Sequence, residues 1–390
     1  GWFKPLALAF CAVPIILFGA YDSNLDFPLF GSVKIPMLYL ALVIFMIPIT
    51  GNTFNSIDVL NGVVSGVSTI AGFALSISLF ILQNYEIAIA CLLLAFVSLA
   101  FYRYHKFPSK IFPGDSGALV FGAMYGAIAI VGHVEVVAAV IILPAVINSF
   151  LFLSSVKKVV EHRQIKNPIS HTEDWKLKST IENHAPITLV RLLVARKPLS
   201  EKQIGIEIFK LAIFSGILGI ITAVAGMIGV ITGGVIGDKL RVKHPNGRIY
   251  VSFFAALFAI PTCLGLLYSS SLYISLTWNF LFSVVSPMWV GLAATTFADL
   301  VLPRMRAVAG AFYLLVLSMI GLALGPYTVG KMSDIFMLQG QSDGESLKLA
   351  LALALTVLIV PLCTFLIACK YLPTDEVSKL KRARELGEAI

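Results

Sequence analysis

Charge is scarce in this chain. Asp, Glu, Lys and Arg make up 13% of its 390 residues, against about 25% in soluble domains. With 58% hydrophobic residues and a mean hydropathy of +0.90, a water-facing globule is excluded. Short alternating apolar segments are also missing, which excludes a membrane β-barrel. Paired cysteines are lacking. Cys11, Cys91, Cys263, Cys363 and Cys369 stand singly in or beside apolar runs, with no CxxC or Cys/His cluster. Neither a disulfide framework nor a zinc site is implied. The chain opens Gly-Trp-Phe-Lys, without Met or a signal-peptide pattern, so further sequence is expected upstream.

What is present is a series of uncharged runs near spanning length, about 20 residues for a hydrocarbon core of about 30 Å. They read as Leu6–Ala20, Pro36–Ile49, Val63–Leu82, Ile87–Tyr102, Gly117–Gly132 and Val136–Val156. A longer stretch follows, then Tyr250–Leu267, Leu272–Ala298, Val308–Val329 and Leu349–Cys369. The predicted class is all-α: a polytopic membrane protein of about 11 transmembrane helices. The net charge of +8 sits in the loops, where Lys and Arg set orientation, so nucleic acid is not an expected partner. Placing Lys4, the Arg103–Lys110 cluster and the Lys157–Lys166 cluster in the cytoplasm gives a consistent alternation through residue 205. The later basic loops around Arg248 and Arg304, and the tail after Lys370, also alternate consistently if cytoplasmic.

The two alternations collide at the long stretch. Leu211–Gly237 is 27 residues without a charge, about 40 Å of helix at 1.5 Å per residue. Its two flanks, Lys197–Lys210 and Lys239–Arg248, both claim the cytoplasm. A re-entrant hairpin turning near Gly226 or Gly229 would reconcile them. So would a seam near Gly219–Ala225 between two unrelated bundles joined in one long helix.

Three polar segments converge on the cytoplasmic face of the first half. The first is Asn52-Thr-Phe-Asn55-Ser-Ile-Asp58-Val-Leu-Asn61-Gly62. The second is Pro108-Ser-Lys110-Ile-Phe-Pro-Gly114-Asp115-Ser-Gly117. The third is Glu161-His162-Arg163. Helix capping accounts for the first two as readily as chemistry does, and a solvated loop accounts for the third. Taken together, two membrane-edge carboxylates suit Mg²⁺, which takes oxygen ligands and shares them with substrate phosphates. The Arg suits phosphate oxygens.

On these motifs, residues 1–223 resemble the latter part of the polyprenyl-phosphate N-acetylhexosamine-1-phosphate transferases. That family includes the dolichyl-phosphate enzyme that opens N-glycan assembly, its archaeal counterparts and the bacterial translocase of peptidoglycan lipid synthesis. His171–Leu193 matches the region before the family's last helix. The resemblance implies transfer of sugar-1-phosphate from a UDP-sugar to a polyprenyl phosphate, with Mg²⁺ on Asp58 and Asp115. It implies catalytic roles for Asp115, His162 and Arg163, and substrate contacts from Asn55, Asn61, Lys110, Gly114 and Arg163. Asp58 stands where eukaryotic members carry a metal-binding Asn. Val64 stands where an Asn commonly reads the uracil. The family's adjacent Asp pair is expected just upstream of Gly1, since no Asp-Asp occurs in this chain.

The second half carries Gly233-Gly234-Val-Ile-Gly237-Asp238-Lys239, followed by Arg241 and Arg248. An ordinary glycine-rich span entering a basic loop explains much of this. With Leu302-Pro-Arg304-Met-Arg306 and Gly321–Asp334, residues 219–373 resemble the C-terminal half of a major facilitator superfamily transporter of the spinster-like branch. That resemblance implies gating by Gly233, Gly234, Asp238, Lys239 and Arg241.

The predicted domains are a partial transferase, 1–223, with a cytoplasmic loop at 157–205, and a partial transporter, 224–390, with a basic cytoplasmic tail. Sugar-1-phosphate transfer is the leading function. Solute transport, and an inactive or artefactual fusion, are the alternatives. The expected partners are the UDP-sugar, the polyprenyl phosphate and membrane lipids, with a homodimer left open.

Overall fold

A computed structural model describes residues 3–21, 24–27, 31–34, 36–156, 167–180, 185–302, 305–306, 308–310, 313 and 324–385. Backbone contacts divide the chain into two compact units. The first comprises residues 1–25 and 36–224, the second residues 26–35 and 225–390.

The first unit opens with two short helices, α1 (Phe3–Ala9) and α2 (Ala12–Leu17). Four long helices follow: α3 (Pro36–Ile57), α4 (Val63–Ile81), α5 (Tyr85–His105) and α6 (Gly114–Val131). Then come α7 (Glu135–Ile141) and α8 (Leu143–Val156). An antiparallel hairpin of β3 (Ile169–His171) and β4 (Leu177–Ser179) precedes α9 (Leu189–Leu193).

Helix α4 is the centre of this unit. Val63, Val64, Val67, Ala71, Leu75 and Leu79 along it are all buried. Small polar residues join it to α5: the Ser68 and Ser98 hydroxyls are 2.8 Å apart, and Ser76 donates to the Ala88 carbonyl at 2.8 Å. Hydroxyls that find partners this way let helices pack without leaving a buried polar atom unmatched.

Helices α3 and α6 approach still more closely. A Cβ on Gly122 would fall onto the Thr50 carbonyl, and one on Gly126 onto the Thr50 hydroxyl. Gly122 and Gly126 form a GxxxG pair, whose bare surface lets two backbones meet.

Helix α10 (Glu201–Lys243) is unbroken over 43 residues, about 65 Å at 1.5 Å per residue. The expected hairpin at Gly226 or Gly229 is therefore absent. Both glycines continue the helix. Ile204, Ile208, Ala212 and Ala223 along its first part belong to the first unit's core.

Where the chain first passes from the first unit's residues to the second's, β1 (Asn24–Phe27) and β2 (Gly31–Lys34) form a two-stranded sheet. The helices of the second unit are the end of α10, α11 (Gly247–Tyr268), α12 (Leu272–Val285), α13 (Met288–Leu300), α14 (Gly325–Leu338), α15 (Asp343–Ala354) and α16 (Ile359–Glu385).

The chain is a polytopic helical membrane protein, but not with 11 spans. Among the described residues, seven helices are long and apolar enough to cross a membrane, or eight if α7 and α8 are one bent span. Three expected spans are broken. Leu6–Ala20 splits into α1 and α2, each far shorter than a bilayer core. Val136–Val156 bends by 79° between α7 and α8, at Ile142-Leu143-Pro144, where proline removes a helix donor. Leu272–Ala298 breaks at Ser286-Pro287, leaving helices of 14 and 13 residues. Val308–Val329 lies largely outside the described residues. The chain is also not wholly helical, since four short strands occur among the described residues.

Candidate active site at the ends of α3 and α6

Helix α3 ends at Ile57 and α6 begins at Gly114, so the carboxylates Asp58 and Asp115 cap one end of this tightly packed pair. The Asp58 side chain is only 13% exposed. Burial, and secondarily the negative charge of Asp115, push its carboxyl up from 3.8 to about 6. Asp115 sits in the first turn of α6, where the helix dipole favours a carboxylate. Gly114 before it holds a left-handed φ of +61°, a conformation that costs glycine little.

His105 is the group that the sequence misplaces. It reads as one of the basic residues at the cytoplasmic end of a span, yet the structure buries it completely. Its Nδ1 lies 3.0 Å from the Ser65 hydroxyl, and its Nε2 faces Asp58 Oδ1 at 3.9 Å.

Asn148 was not legible either. Its amide donates to the Ser56 carbonyl at 2.9 Å and to the Ser56 hydroxyl at 3.2 Å, while its oxygen accepts the Leu189 N–H at 2.9 Å. One buried side chain thus ties the end of α3 to α8 and to the start of α9. Arg191, a basic residue near this end, is spent on structure. Its guanidinium donates to the Ala185 carbonyl at 2.5 Å, the Pro186 carbonyl at 3.2 Å and the Ser179 hydroxyl at 3.3 Å.

The remaining expected residues fall as follows. Asn55 and Asn61 are half-buried in the segment that carries Asp58, and Lys110 is exposed in the loop before Asp115. Val64 is fully buried in the core. His162 and Arg163 lie outside the described residues.

In the second unit, Arg248 joins Asp238 at 2.8 Å and Asp299 at 2.7 Å. Arg241 pairs with Glu376 at 2.6 Å. Gly233 packs tightly on Met288, whereas Gly234 faces open space and Lys239 is exposed. Asp299 and Glu376 carry no motif that would have singled them out.

No cluster of three or more His, Cys, Asp and Glu poised for a metal occurs among the described residues. Two carboxylates nonetheless fit Mg²⁺, which is commonly held by one or two carboxylates with water and substrate phosphates completing its shell. The raised Asp58 value gives a direct check. A bound cation stabilises the ionised carboxylate and drives its proton off. Calorimetry in buffers of different ionisation enthalpy should detect proton release on Mn²⁺ binding near pH 6 and almost none at pH 8.

Two carboxylates thus stand at one end of a packed helix pair in a bundle of apolar helices. Residues 1–133 match the family Glycosyl transferase family 4. A protein of Saccharolobus solfataricus, provisionally named UDP-N-acetylglucosamine–dolichyl-phosphate N-acetylglucosaminephosphotransferase, is 33% identical over 147 residues, 37% of this chain and 46% of that one. A Methanocaldococcus jannaschii protein, provisionally named a glycosyltransferase, is 30% identical over 194 residues, 49% of this chain and 62% of that one. The phospho-N-acetylmuramoyl-pentapeptide-transferase of Limosilactobacillus reuteri is 36% identical over 139 residues, 34% of this chain and 43% of that one. The chain spans about half the length of the curated relatives it matches. It is thereby related to the polyprenyl-phosphate N-acetylhexosamine-1-phosphate transferases. These matches lend no support to the transporter resemblance of residues 219–373.

Proposed function

We propose that the first unit carries a sugar-1-phosphate transferase site, acting on a UDP-sugar and a polyprenyl phosphate at the membrane surface. The observation that carries this reading is the gathering of Asp58, just past α3, and Asp115, in the first turn of α6, at one end of the two helices. In the reaction, a phosphate oxygen of the lipid forms a bond to the sugar-bearing phosphorus. The diphosphate bridge breaks and UMP leaves.

Asp58 and Asp115 would hold Mg²⁺, which when bound supplies positive charge to the diphosphate. Lys110, at the mouth of the site, would bind a phosphate as a point charge. Arg163 would take phosphate oxygens bidentately, and His162 would contact the sugar-diphosphate. Asn55, Asn61 and Gly114 would shape the substrate's bed. The apolar helices around the site keep the acceptor's lipid tail in the bilayer.

The test is transfer of label from UDP-N-acetylglucosamine to a polyprenyl phosphate by membranes containing the chain. Product that forms with Mg²⁺ and disappears with EDTA supports the reading. Product formation indifferent to EDTA would remove the metal from it.

A second reading, solute transport by the second unit, rests on the Asp238–Arg248–Asp299 triad. Asp238 is 65% exposed and Arg248 keeps Asp299 as a second partner, so if this triad gates transport, Asp238→Asn should lower uptake into vesicles by loosening one of the two contacts on Arg248. Uptake equal to that of empty vesicles before mutation would eliminate transport.

A further inference from the structure

We infer that Glu201, the first residue of α10, is a positioning residue for the Asp58 loop. The inference rests on the transferase reading of that loop. Glu201 Oε1 accepts the backbone N–H of Asn61 at 2.7 Å. A carboxylate accepting from a main-chain amide makes a short, charge-assisted bond, roughly twice as strong as a neutral one.

The local sequence frees Glu201 for this task. Ser200 and Gln203 form a reciprocal cap on α10. The Ser200 N–H donates to Gln203 Oε1 at 2.9 Å, and the Gln203 N–H donates to the Ser200 hydroxyl at 3.4 Å. Capping therefore makes no demand on the Glu201 carboxylate. At the first position of the helix it also lies in the favourable field of the helix dipole.

The bond joins a turn that also holds itself through Asp58 N–H to the Asn55 carbonyl at 3.3 Å. Between α3 and α4 the main chain turns through Val59 N–H to the Ile57 carbonyl at 2.9 Å and Val63 N–H to the Leu60 carbonyl at 3.2 Å. Gly62 then adopts a φ of +82°. A Cβ there would stand 3.0 Å from Lys106 Cα, so the loop passes close to the end of α5. The Asn61 N–H is the point at which α10 grips this turn, three residues beyond Asp58. Losing the grip lets the turn relax and moves the Asp58 carboxylate relative to Asp115.

The experiment measures Mn²⁺ affinity of the purified full chain by electron paramagnetic resonance, with thermal stability recorded beside it. Glu201→Ala should weaken Mn²⁺ about tenfold, the lower end of what a group supporting a metal ligand contributes. Its melting temperature should stay near wild type. Glu201→Gln keeps the acceptor oxygen and should restore most of the affinity. Hydrogen exchange should show the Asn61 amide unprotected in Glu201→Ala and protected in Glu201→Gln.

Wild-type affinity in Glu201→Ala, alongside lost affinity in Asp115→Asn, would overturn the positioning role while leaving the metal site standing. Equal weakening in the Ala and Gln variants would overturn it too, because the acceptor would not be what matters. Unchanged affinity in Asp115→Asn would remove the metal site itself. Should Glu201→Ala fail to fold, Glu201→Asp decides. It keeps the charge but withdraws the carboxylate by one methylene, and unaltered affinity there would count against the inference.

Discussion

Asp115→Asn should abolish Mg²⁺-dependent transfer, at least about 100-fold, because a Lewis-acid cation contributes several kcal/mol of charge stabilisation in such a reaction. The same substitution should leave thermal stability equal or slightly higher. Two carboxylates held together repel, and part of the rise of Asp58 to about 6 comes from the charge on Asp115. Replacing Asp115 by an isosteric amide removes that part.

The folded state at present takes up a proton at Asp58 more readily than the unfolded chain does. That advantage is complete below pH 3.8 and is lost as pH rises through about 6. In Asp115→Asn the upper limit of this window should move down, and proton release on Mn²⁺ binding at pH 6 should shrink with it. Lost activity with retained stability is the signature of a functional carboxylate. Activity within threefold of wild type, with a normal melting curve, would show that Asp115 holds no catalytic cation.

The sequence singled out two carboxylates that the fold brings to one end of α3 and α6, while it miscounted the helices. NSIDVLNG and PSKIFPGDSG drew attention to Asp58 and Asp115 through their resemblance to a family's motifs, since capping alone explains such residues at the mouth of an apolar run equally well. The spans were counted from apolar length, and length cannot distinguish one helix from two. Phe10-Cys11, Ile142-Leu143-Pro144 and Ser286-Pro287 interrupt runs that look continuous in hydropathy. Only Pro144 and Pro287 offered a local signal.

The supporting residues were hidden for a different reason. Asn148, Glu201, Asp299 and Glu376 act through single hydrogen bonds or ion pairs to elements distant in sequence. No short pattern records such a partner. His105 misled because a histidine among Arg103 and Lys106 reads as loop charge, while its burial against Phe101 and Phe112 depends on packing. The collision of basic flanks around Leu211–Gly237 was legible. Its resolution was not, since nothing in the apolar run distinguishes a hairpin from the single 43-residue helix that forms.

How the two carboxylates come to meet was also unreadable, and it leads to the other large effect. Gly122→Leu should destabilise the protein by about 3 kcal/mol or more, at the upper end of overpacking costs. A Cβ at Gly122 meets the Thr50 carbonyl carbon at 2.8 Å and Gly51 Cα at 2.7 Å. These are backbone atoms, which no rotamer change can move aside, so α3 and α6 must separate.

Separation reaches the site by geometry. Thr50 lies eight residues before Asp58, and Gly122 lies seven after Asp115. The glycine contact is thus about 11 Å from either carboxylate, at 1.5 Å per residue, and it sets the register that brings them level. Transfer activity should therefore fall even in the fraction of Gly122→Leu protein that folds.

Gly205→Ala is the counterpart. It lies in α10 with open space where a Cβ would go, so alanine should raise stability by about 0.5–1 kcal/mol through helix propensity. Melting curves of the two variants in detergent should move in opposite directions. A Gly122→Leu midpoint equal to wild type would mean that the α3–α6 contact does not hold the carboxylates in place.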